Sequence, residues 1–250
     1  MTYIRLNKIN VEIPIYDSAA LRLIRLPSLN KAKVGTSTVS RSGSVVQMHA
    51  IKDLDLNLTE GDRVCIIGHN GAGKTTLLRV ISSIYAPTSG SIDINGTIFA
   101  LLGGSLALNI DATGYENIKL IAHIRDWPSD RVQDYVRDIE EFTELGEYLS
   151  LPTRVYSAGM QARLAFALAT VQSPDILLID EGIGAGDSDF QKKARERTER
   201  FVGAAKILLL ASHSRELCEQ LCNKALLLAK GKSIFFGDIE EAFDRYEGIG

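Results

Sequence analysis

The 250-residue chain has few cysteines, no strong excess of one charge and no apolar run long enough to cross a bilayer. Its net charge of −3 does not favour a general nucleic-acid binder, because such a protein needs a strongly basic surface. Three cysteines, an odd number, without a recognisable signal peptide predict a protein of the reducing cytosol. We therefore expect no nucleic acid as a partner, and we expect any membrane role to come through a partner or a surface.

The few cysteines do not indicate a metal centre. Cys218 and Cys222 fall one helical turn apart, a spacing that could suit a metal, but their neighbours Leu217 and Leu221 favour a packed face. Cys65 also lies in an apolar run. We interpret all three residues as core thiols.

What the chain does contain is a phosphate-binding pattern. Residues 68–75 fit G-x4-G-K-[ST] at every fixed position, after an apolar run at 63–67 and before a helical run at 76–81. A strand, a glycine-rich loop and a helix N-terminus together offer backbone N–H groups and a partial positive charge to a polyphosphate. A glycine-rich turn that merely caps a helix is the alternative, and the fixed spacing with its Lys-Thr pair argues against it.

Within this pattern, each polar residue has an expected role. Lys74 is expected to reach the β- and γ-phosphates, and the Thr75 hydroxyl is expected to sit on Mg2+. The predicted phosphate-binding residues are Gly68, His69, Asn70, Gly71, Ala72, Gly73, Lys74, Thr75 and Thr76.

Strand and helix patterns alternate along the chain. Two continuous apolar runs of strand length, residues 176–179 and 207–210, are typical of a parallel sheet with helices on both faces. The sequence therefore predicts an α/β nucleotide-binding core with a helical insertion near residues 112–172. The other expected elements are a strand over 48–58, two short strands within 90–102 split by a turn at Asn95–Gly96, a helix around 132–142 with a cap at Ser129, and a buried helix over 161–171.

Residues 176–181, four apolar residues followed by two carboxylates, form a second candidate site. Asp180 stands at the carboxyl end of a strand beside the phosphate loop and is expected to hold Mg2+ through its water shell. Glu181 is expected to polarise the water that attacks the γ-phosphate. The pattern alone is weak, since many strands end in acidic loops, and its value comes from following a phosphate loop.

A third motif, YSAGMQAR at residues 156–163, resembles the signature motif of ABC ATPases, which is usually Leu-Ser-Gly-Gly-Gln. Ser157 and Gly159 match it, whereas Tyr156, Ala158 and Met160 depart from it. The signature opens a helix, so its serine hydroxyl and free N–H groups can meet a phosphate. The resemblance implies that Ser157, Ala158, Gly159 and Met160 act on ATP bound by the other subunit of a dimer. A plain helix N-cap is the alternative for Ser157, but the order of phosphate loop, signature, acidic strand and later histidine favours the signature.

Three further residues take positions that the ABC family uses. His213, in the run ASHS after an apolar strand, matches the switch histidine, which would contact the γ-phosphate and order Glu181 with its water. Asp187 resembles the loop that joins the two sites across a dimer. Tyr16 is the candidate for the aromatic residue that stacks on adenine.

A closer resemblance is to the ATPase subunits that export O-antigen, capsule or teichoic acid polymers. It rests on the variant signature with Met160, on residues 179–193 around the acidic strand, and on residues 100–118, which begin with ALL and end with TGYENI. The resemblance covers nearly the whole chain from Met48 on. It implies one ABC ATPase domain over residues 1–250, with a P-loop core, an N-terminal antiparallel β subdomain and an inserted helical subdomain, and it implies ATP and Mg2+ as cofactors.

The same resemblance implies partners and a location. A homodimer would dock under an integral membrane permease, as a peripheral protein on the cytoplasmic face of the inner membrane. ATP hydrolysis would drive export of a lipid-linked polysaccharide.

One departure from the family bears on coupling: the Gln that usually touches Mg2+ and the membrane subunit is missing between Thr97 and Asn117. Water can fill one place in a Mg2+ shell, so activity need not be lost.

Other functions remain to be weighed against this one. Another ABC exporter, for lipids or drugs, stays open because the sequence does not show the polymer. A soluble ABC ATPase acting on DNA or ribosomes is disfavoured, because no long heptad coil separates Lys74 from Ser157 and only one ATPase unit is present. A binding-only pseudoenzyme is disfavoured because Lys74, Thr75, Asp180, Glu181 and His213 are all present.

Residues 18–47 form an insertion that the core does not explain. This segment and the few residues after it contain no acidic residue, and their basic residues are Arg22, Arg25, Lys31, Lys33, Arg41 and Lys52. A basic amphipathic element near anionic lipid headgroups or a lipid pyrophosphate is one interpretation. A solvated loop with a few leucines against the core is the other, and the sequence does not decide between them.

Overall fold

The computed structural model describes residues 1–15, 32–34, 37–42, 45–102, 108–180 and 188–248. The chain divides into two compact units. The first contains Met1–Leu102, Pro174–Gly182 and Lys206–Gly250, and the second contains Gly103–Ser173 and Ile183–Ala205. Both strands and helices are present, which confirms the predicted α/β class.

The first unit contains an antiparallel sheet near the N-terminus. Its five described strands follow the order β2-β3-β4-β1-β6. Their bounds are Tyr3–Ile15 for β1, Ala32–Val34 for β2, Ser37–Ser42 for β3, Val45–Thr59 for β4 and Ser89–Asn95 for β6. Along β4, Leu54, Leu56 and Leu58 are buried while the residues between them are exposed, which is the alternation of a sheet with one covered face. The predicted strand over 48–58 is confirmed.

The second sheet of this unit is mostly parallel and follows the order β11-β10-β5-β9-β8-β7. Its strands are β5 (Arg63–Ile67), β7 (Ile98–Leu102), β8 (Ile176–Asp180), β9 (Ile207–Ala211), β10 (Lys224–Ala229) and β11 (Lys232–Gly237). β11 is antiparallel to β10, and the other described neighbours are parallel. Successive residues of β5 enter different clusters, with Ile66 in one and Cys65 and Ile67 in another. Both faces of the sheet are thus buried, which explains the continuous apolar runs.

Three described helices accompany these sheets in the first unit. They are α1 (Lys74–Ile81), α6 (Arg215–Leu221) and α7 (Ile239–Glu247). The cluster that contains Cys65 also contains Cys218, Ala242 and Phe243, and Cys222 packs against it. The expected packing of the cysteines is confirmed. A hydrogen bond with Cys218 and then burial raise the pKa of the Cys65 thiol, and burial raises the pKa of Cys222 to about 12.

The two extended runs within 90–102 are both strands, but they belong to different sheets. β6 pairs with β1 in the antiparallel sheet, and β7 pairs with β8 in the parallel sheet. The chain changes sheet at Gly96, where φ is +133°. Asp175 fixes the change, since its Oδ2 accepts from the N–H and the hydroxyl of Thr97 at 2.8 and 2.9 Å.

The second unit is helical. Its described helices are α2 (Gly114–Ile124), α3 (Val132–Thr143), α4 (Ala158–Thr170) and α5 (Ser188–Ala204), with short 3-10 turns at Gly146–Ser150 and Thr153–Val155. Thr113 and Glu116 form a capping box that starts α2. Ile118, Ile139, Phe142 and Leu164 belong to one buried cluster. The buried helix expected over 161–171 is present as α4.

The expected cap at Ser129 is wrong. α3 begins at Val132, its N-cap residue is Arg131, and no side chain caps it. The reason is a turn before the helix, in which the N–H of Arg131 donates to the carbonyl of Pro128 at 2.8 Å. Ser129 lies inside this turn, two residues too early to accept from the first turn of the helix.

One sequence prediction concerns a region that the structure covers little. The insertion at 18–47 includes β2, β3 and the start of β4, but the side chains of residues 15–46 lie outside the description, so its proposed lipid contact stays a prediction. Among the described residues, no helix combines the length and the apolar character that a membrane span requires.

Candidate nucleotide-binding site

The loop between β5 and α1 depends on two glycines, at positions where any other residue would strain the backbone. At Gly68, φ is +150° and an added Cβ would lie 2.3 Å from the carbonyl oxygen of Leu228. At Gly73, φ is +110° and an added Cβ would lie 2.7 Å from the carbonyl oxygen of Ala50. These contacts explain why the fixed positions of the pattern are glycine: the loop passes too close to neighbouring backbone for a side chain.

The turn between β10 and β11 supports the loop from the other side. The N–H of Gly231 donates to the carbonyl of Ala72 at 3.0 Å, and the carbonyl of Gly231 accepts from the N–H of Lys52 at 2.7 Å. Gly231 has φ +78°, and an added Cβ would come within 2.7 Å of the carbonyl oxygen of Ala50. One residue of this turn therefore ties the phosphate loop to β4.

Lys74 is held at the centre of the loop. Its side chain is buried, and Nζ donates to the carbonyls of Gly68 at 2.6 Å and His69 at 3.4 Å. Nζ also lies 3.3 Å from Nε2 of His213. Because an ammonium group only donates, Nε2 is the acceptor in this contact. The two residues predicted to meet the γ-phosphate are therefore neighbours in this structure.

His213 reaches Lys74 from the end of β9. The strand ends at Ala211, and the hydroxyl of Ser212 accepts from the N–H of Ser214 at 3.1 Å. Ser214 in turn caps α6, its hydroxyl accepting from the N–H of Leu217 at 3.2 Å. These two side chains shape the turn between strand and helix, and they leave the imidazole of His213 exposed.

A cavity of about 300 Å3 opens beside the loop. Asp180 reaches it because β8 ends at this residue, opposite Ala211 of β9. The Thr75 hydroxyl and the Asp180 carboxylate supply oxygen donors of the kind that Mg2+ prefers, and the cavity leaves room for the water ligands that this ion usually keeps. The donor set therefore fits Mg2+. The lining residues are Met48, Ala50, Asn70, Gly71, Ala72, Gly73, Lys74, Thr75, Thr76 and Asp180.

In the second unit, Ser157 is the N-cap of α4. Its hydroxyl accepts from the N–H of Met160 at 3.2 Å, which is the structural role that the sequence allowed as an alternative. Ser157, Ala158 and Gly159 are nevertheless exposed, and around Gly159 the nearest atom to an added Cβ, at 3.9 Å, is the Ser157 hydroxyl itself. An exposed helix N-terminus without bulky side chains can receive an anion from another molecule.

Comparison with a known protein family covers much of this site. The sequence profile of the family described as ABC transporter matches residues 51–184, a span that includes the phosphate loop, the signature and Asp180. The chain belongs to the ABC transporter family.

Several ABC proteins with names for polysaccharide export are similar over most of this chain. The O-antigen export system ATP-binding protein RfbE of Yersinia enterocolitica is 37% identical over 92% of this chain and 96% of its own length. The capsule polysaccharide export ATP-binding protein CtrD of Neisseria meningitidis serogroup B is 37% identical over 84% of this chain and 94% of its own length. The teichoic acids export ATP-binding protein TagH of Shouchella clausii is 33% identical over 80% of this chain, which spans only 55% of that protein. The predicted membership of the ABC family and the resemblance to this subgroup are confirmed.

Two solved ABC structures support the fold. An ATP-binding subunit of an ABC transporter has a TM-score of 0.66 at 21% identity, with 98% of this chain and 93% of that chain covered. A dimeric ATP-binding cassette in a post-hydrolysis state, bound to ADP and Pi, has a TM-score of 0.62 at 19% identity, with 94% and 98% covered. At these identities the likeness concerns the fold, and it confirms the predicted ABC ATPase fold.

Three predicted site residues of this ABC protein lie outside the described residues: Tyr16, Glu181 and Asp187. Sequence reasoning also missed two residues, Met48 and Ala50, which line the cavity from β4. The alternation along β4 predicts which residues share a face, but no local pattern shows that this strand runs beside the loop. The structure itself shows the proximity of Ala50, whose carbonyl oxygen lies 2.7 Å from the added Cβ of Gly73 and of Gly231.

Proposed function

We propose that the protein is the ATP-hydrolysing subunit of an exporter that moves a lipid-linked, O-antigen-like polysaccharide across the inner membrane. The observation that carries the proposal is the relation to the O-antigen export protein RfbE, which extends over 92% of this chain and 96% of that protein. The capsule export protein CtrD supports it over a similar extent. The chain would act at the cytoplasmic face of the membrane, docked under a permease that it does not itself contain.

The described residues support a division of roles in ATP hydrolysis. Lys74 is already directed at the loop carbonyls of Gly68 and His69, and phosphate oxygens would compete for the same ammonium hydrogens. Thr75 and Asp180 would hold Mg2+, which neutralises charge on the phosphates when bound. His213 lies 3.3 Å from Lys74, so it would meet the same terminal phosphate. Glu181, which follows Asp180 in the sequence, would polarise the attacking water.

The second copy of the chain would complete the site. The exposed first turn of α4, with Ser157, Ala158 and Gly159, is a helix N-terminus of the kind that binds an anion. In a homodimer it would meet the γ-phosphate held by the loop of the other copy, with Asp187 in the loop between the two sites. ATP binding would then bring the two copies together, and hydrolysis would release them.

Export in cells tests this function directly. A strain without the gene, complemented with Lys74→Ala, should retain the polymer inside on its lipid carrier, because the variant loses the ammonium that binds ATP. Lys119→Ala is the matched control: Lys119 is an exposed lysine on α2, and this variant should restore surface polymer. Normal surface polymer with Lys74→Ala, at equal protein level, would contradict the proposal.

A further inference from the structure

The C-terminal helix α7 makes a contact with the phosphate loop that the nucleotide motif does not require. The ring of Tyr246 lies against the ring of His69, with centroids 4.8 Å apart and planes inclined at 41°. Tyr246 Oη is 3.5 Å from His69 Nδ1. His69 occupies a variable position of the phosphate-binding pattern, so the pattern itself gives its side chain no role.

The main chain of His69, by contrast, is central to the loop. Its carbonyl accepts from the N–H of Ala72 at 3.0 Å, which closes a turn inside the loop. The same carbonyl lies 3.4 Å from Nζ of Lys74. A displacement of His69 would therefore change both the shape of the loop and the position of the Lys74 ammonium group.

α7 is well placed to prevent such a displacement. Its residues Ala242 and Phe243 are buried in the cluster that contains Ile67, the last residue of the strand leading into the loop. Tyr246 follows Phe243 by three residues, so it lies on the same helix face, and it packs against the same cluster. The helix thus packs against β5, and its last turn contacts the loop that follows β5.

We propose that Tyr246 is a positioning residue for ATP binding, acting through His69. The aromatic contact holds the loop in the shape in which the carbonyls of Gly68 and His69 and the ammonium of Lys74 are already gathered. Neither aromatic ring lines the described cavity, so the effect is on the loop and not on the nucleotide itself. A loop that is ordered before ATP arrives loses less conformational freedom on binding, which strengthens binding.

Nucleotide titration of the purified full-length chain tests the proposal. Because Tyr246→Ala removes the aromatic contact that holds His69, it should raise the Kd for ATP about fivefold. KM for ATP should rise by the same factor while kcat stays near the wild-type value. Tyr246→Phe should bind within about twofold of the wild type, because the ring contact remains and the 3.5 Å polar contact is weak. Phe236→Ala, which removes an exposed ring from β11, is the control and should not change the Kd.

A double-mutant cycle separates this role from a general loss of packing. In a His69→Ala background, Tyr246→Ala should weaken ATP binding no further, because the contact is already gone. A second fivefold loss in that background would overturn the proposal, and so would an unchanged Kd in Tyr246→Ala alone. If Tyr246→Ala does not fold, Tyr246→Leu keeps apolar volume against the buried cluster that contains Cys65, Ile67 and Phe243. The same rise in the Kd for ATP is expected of it. These outcomes concern ATP binding only, so they stand or fall independently of polysaccharide export.

Discussion

At the scale of single residues, one cavity is lined by Lys74, Thr75 and Asp180, the groups proposed to bind the phosphates and Mg2+. Met48 lines the same cavity, yet nothing in its neighbourhood in the sequence marks it. A phosphate loop is a local sequence pattern. The approach of β4 to that loop, by contrast, depends on the pairing of β4 with β1, between residues far apart in the chain.

Met48 gives a prediction at this scale. Met48→Asp should lower the affinity for ATP at least about tenfold, because it places an uncompensated negative charge in a cavity that receives phosphates. Met48→Leu keeps a similar apolar volume and should bind ATP as the wild type does. Titration with a fluorescent ATP analogue measures both variants. Equal affinity of the Asp variant and the wild type would show that Met48 lies away from the bound nucleotide.

At the scale of elements, sequence patterns were most informative where burial is uniform. The runs at 176–179 and 207–210 became β8 and β9, central in a sheet that is covered on both faces. Patterns failed where an element boundary depends on neighbouring turns, as at Ser129. They also could not show that β6 and β7 join different sheets, since that outcome rests on Asp175, which lies 78 residues from Thr97.

Asp175 links this topology to pH. A hydrogen bond from Lys206 and the bonds from Thr97 lower the pKa of Asp175 to about 2. Since the folded pKa lies below the unfolded value of about 3.9, the stabilisation is complete above that value and is lost as pH falls toward 2. Asp175→Asn should therefore melt at a lower temperature than the wild type at pH 6. The gap between the two should narrow as the pH falls from about 4 to 2, and a gap that is the same at pH 6 and pH 2.5 would contradict this account.

At the scale of the whole molecule, the proposed ATP site requires two copies of the chain. The phosphate loop lies in one unit and the exposed signature turn in the other, and the proposed site uses the loop of one copy with the turn of its partner. The sequence could suggest this arrangement only through resemblance, because contacts between copies leave no local periodicity. Asp187, proposed to lie in the loop between the two sites, and Glu181, proposed to polarise the attacking water, lie outside the described part of the chain.

Ser157→Arg tests the composite site. In a Glu181→Gln background, which should retain ATP, the added Arg side chain should block ATP-dependent dimerisation while ATP binding to the monomer persists. Ser173→Arg, at an exposed serine shortly after the end of α4, is the matched control and should dimerise normally. Size-exclusion chromatography with and without ATP and Mg2+ measures both. If the Ser157→Arg protein dimerises as its parent does, the signature turn does not face the partner's nucleotide.

The most direct test of the central claim is the rate of ATP hydrolysis by the purified chain as a function of its concentration. Because the proposed site needs two copies, the rate per molecule should rise with protein concentration and then level off. Lys74→Ala and Glu181→Gln should each lower the plateau at least about 100-fold, the first by loss of ATP binding and the second with ATP still bound. A wild-type rate in Glu181→Gln, or a rate per molecule independent of concentration across the range in which the protein passes from monomer to dimer, would contradict the account.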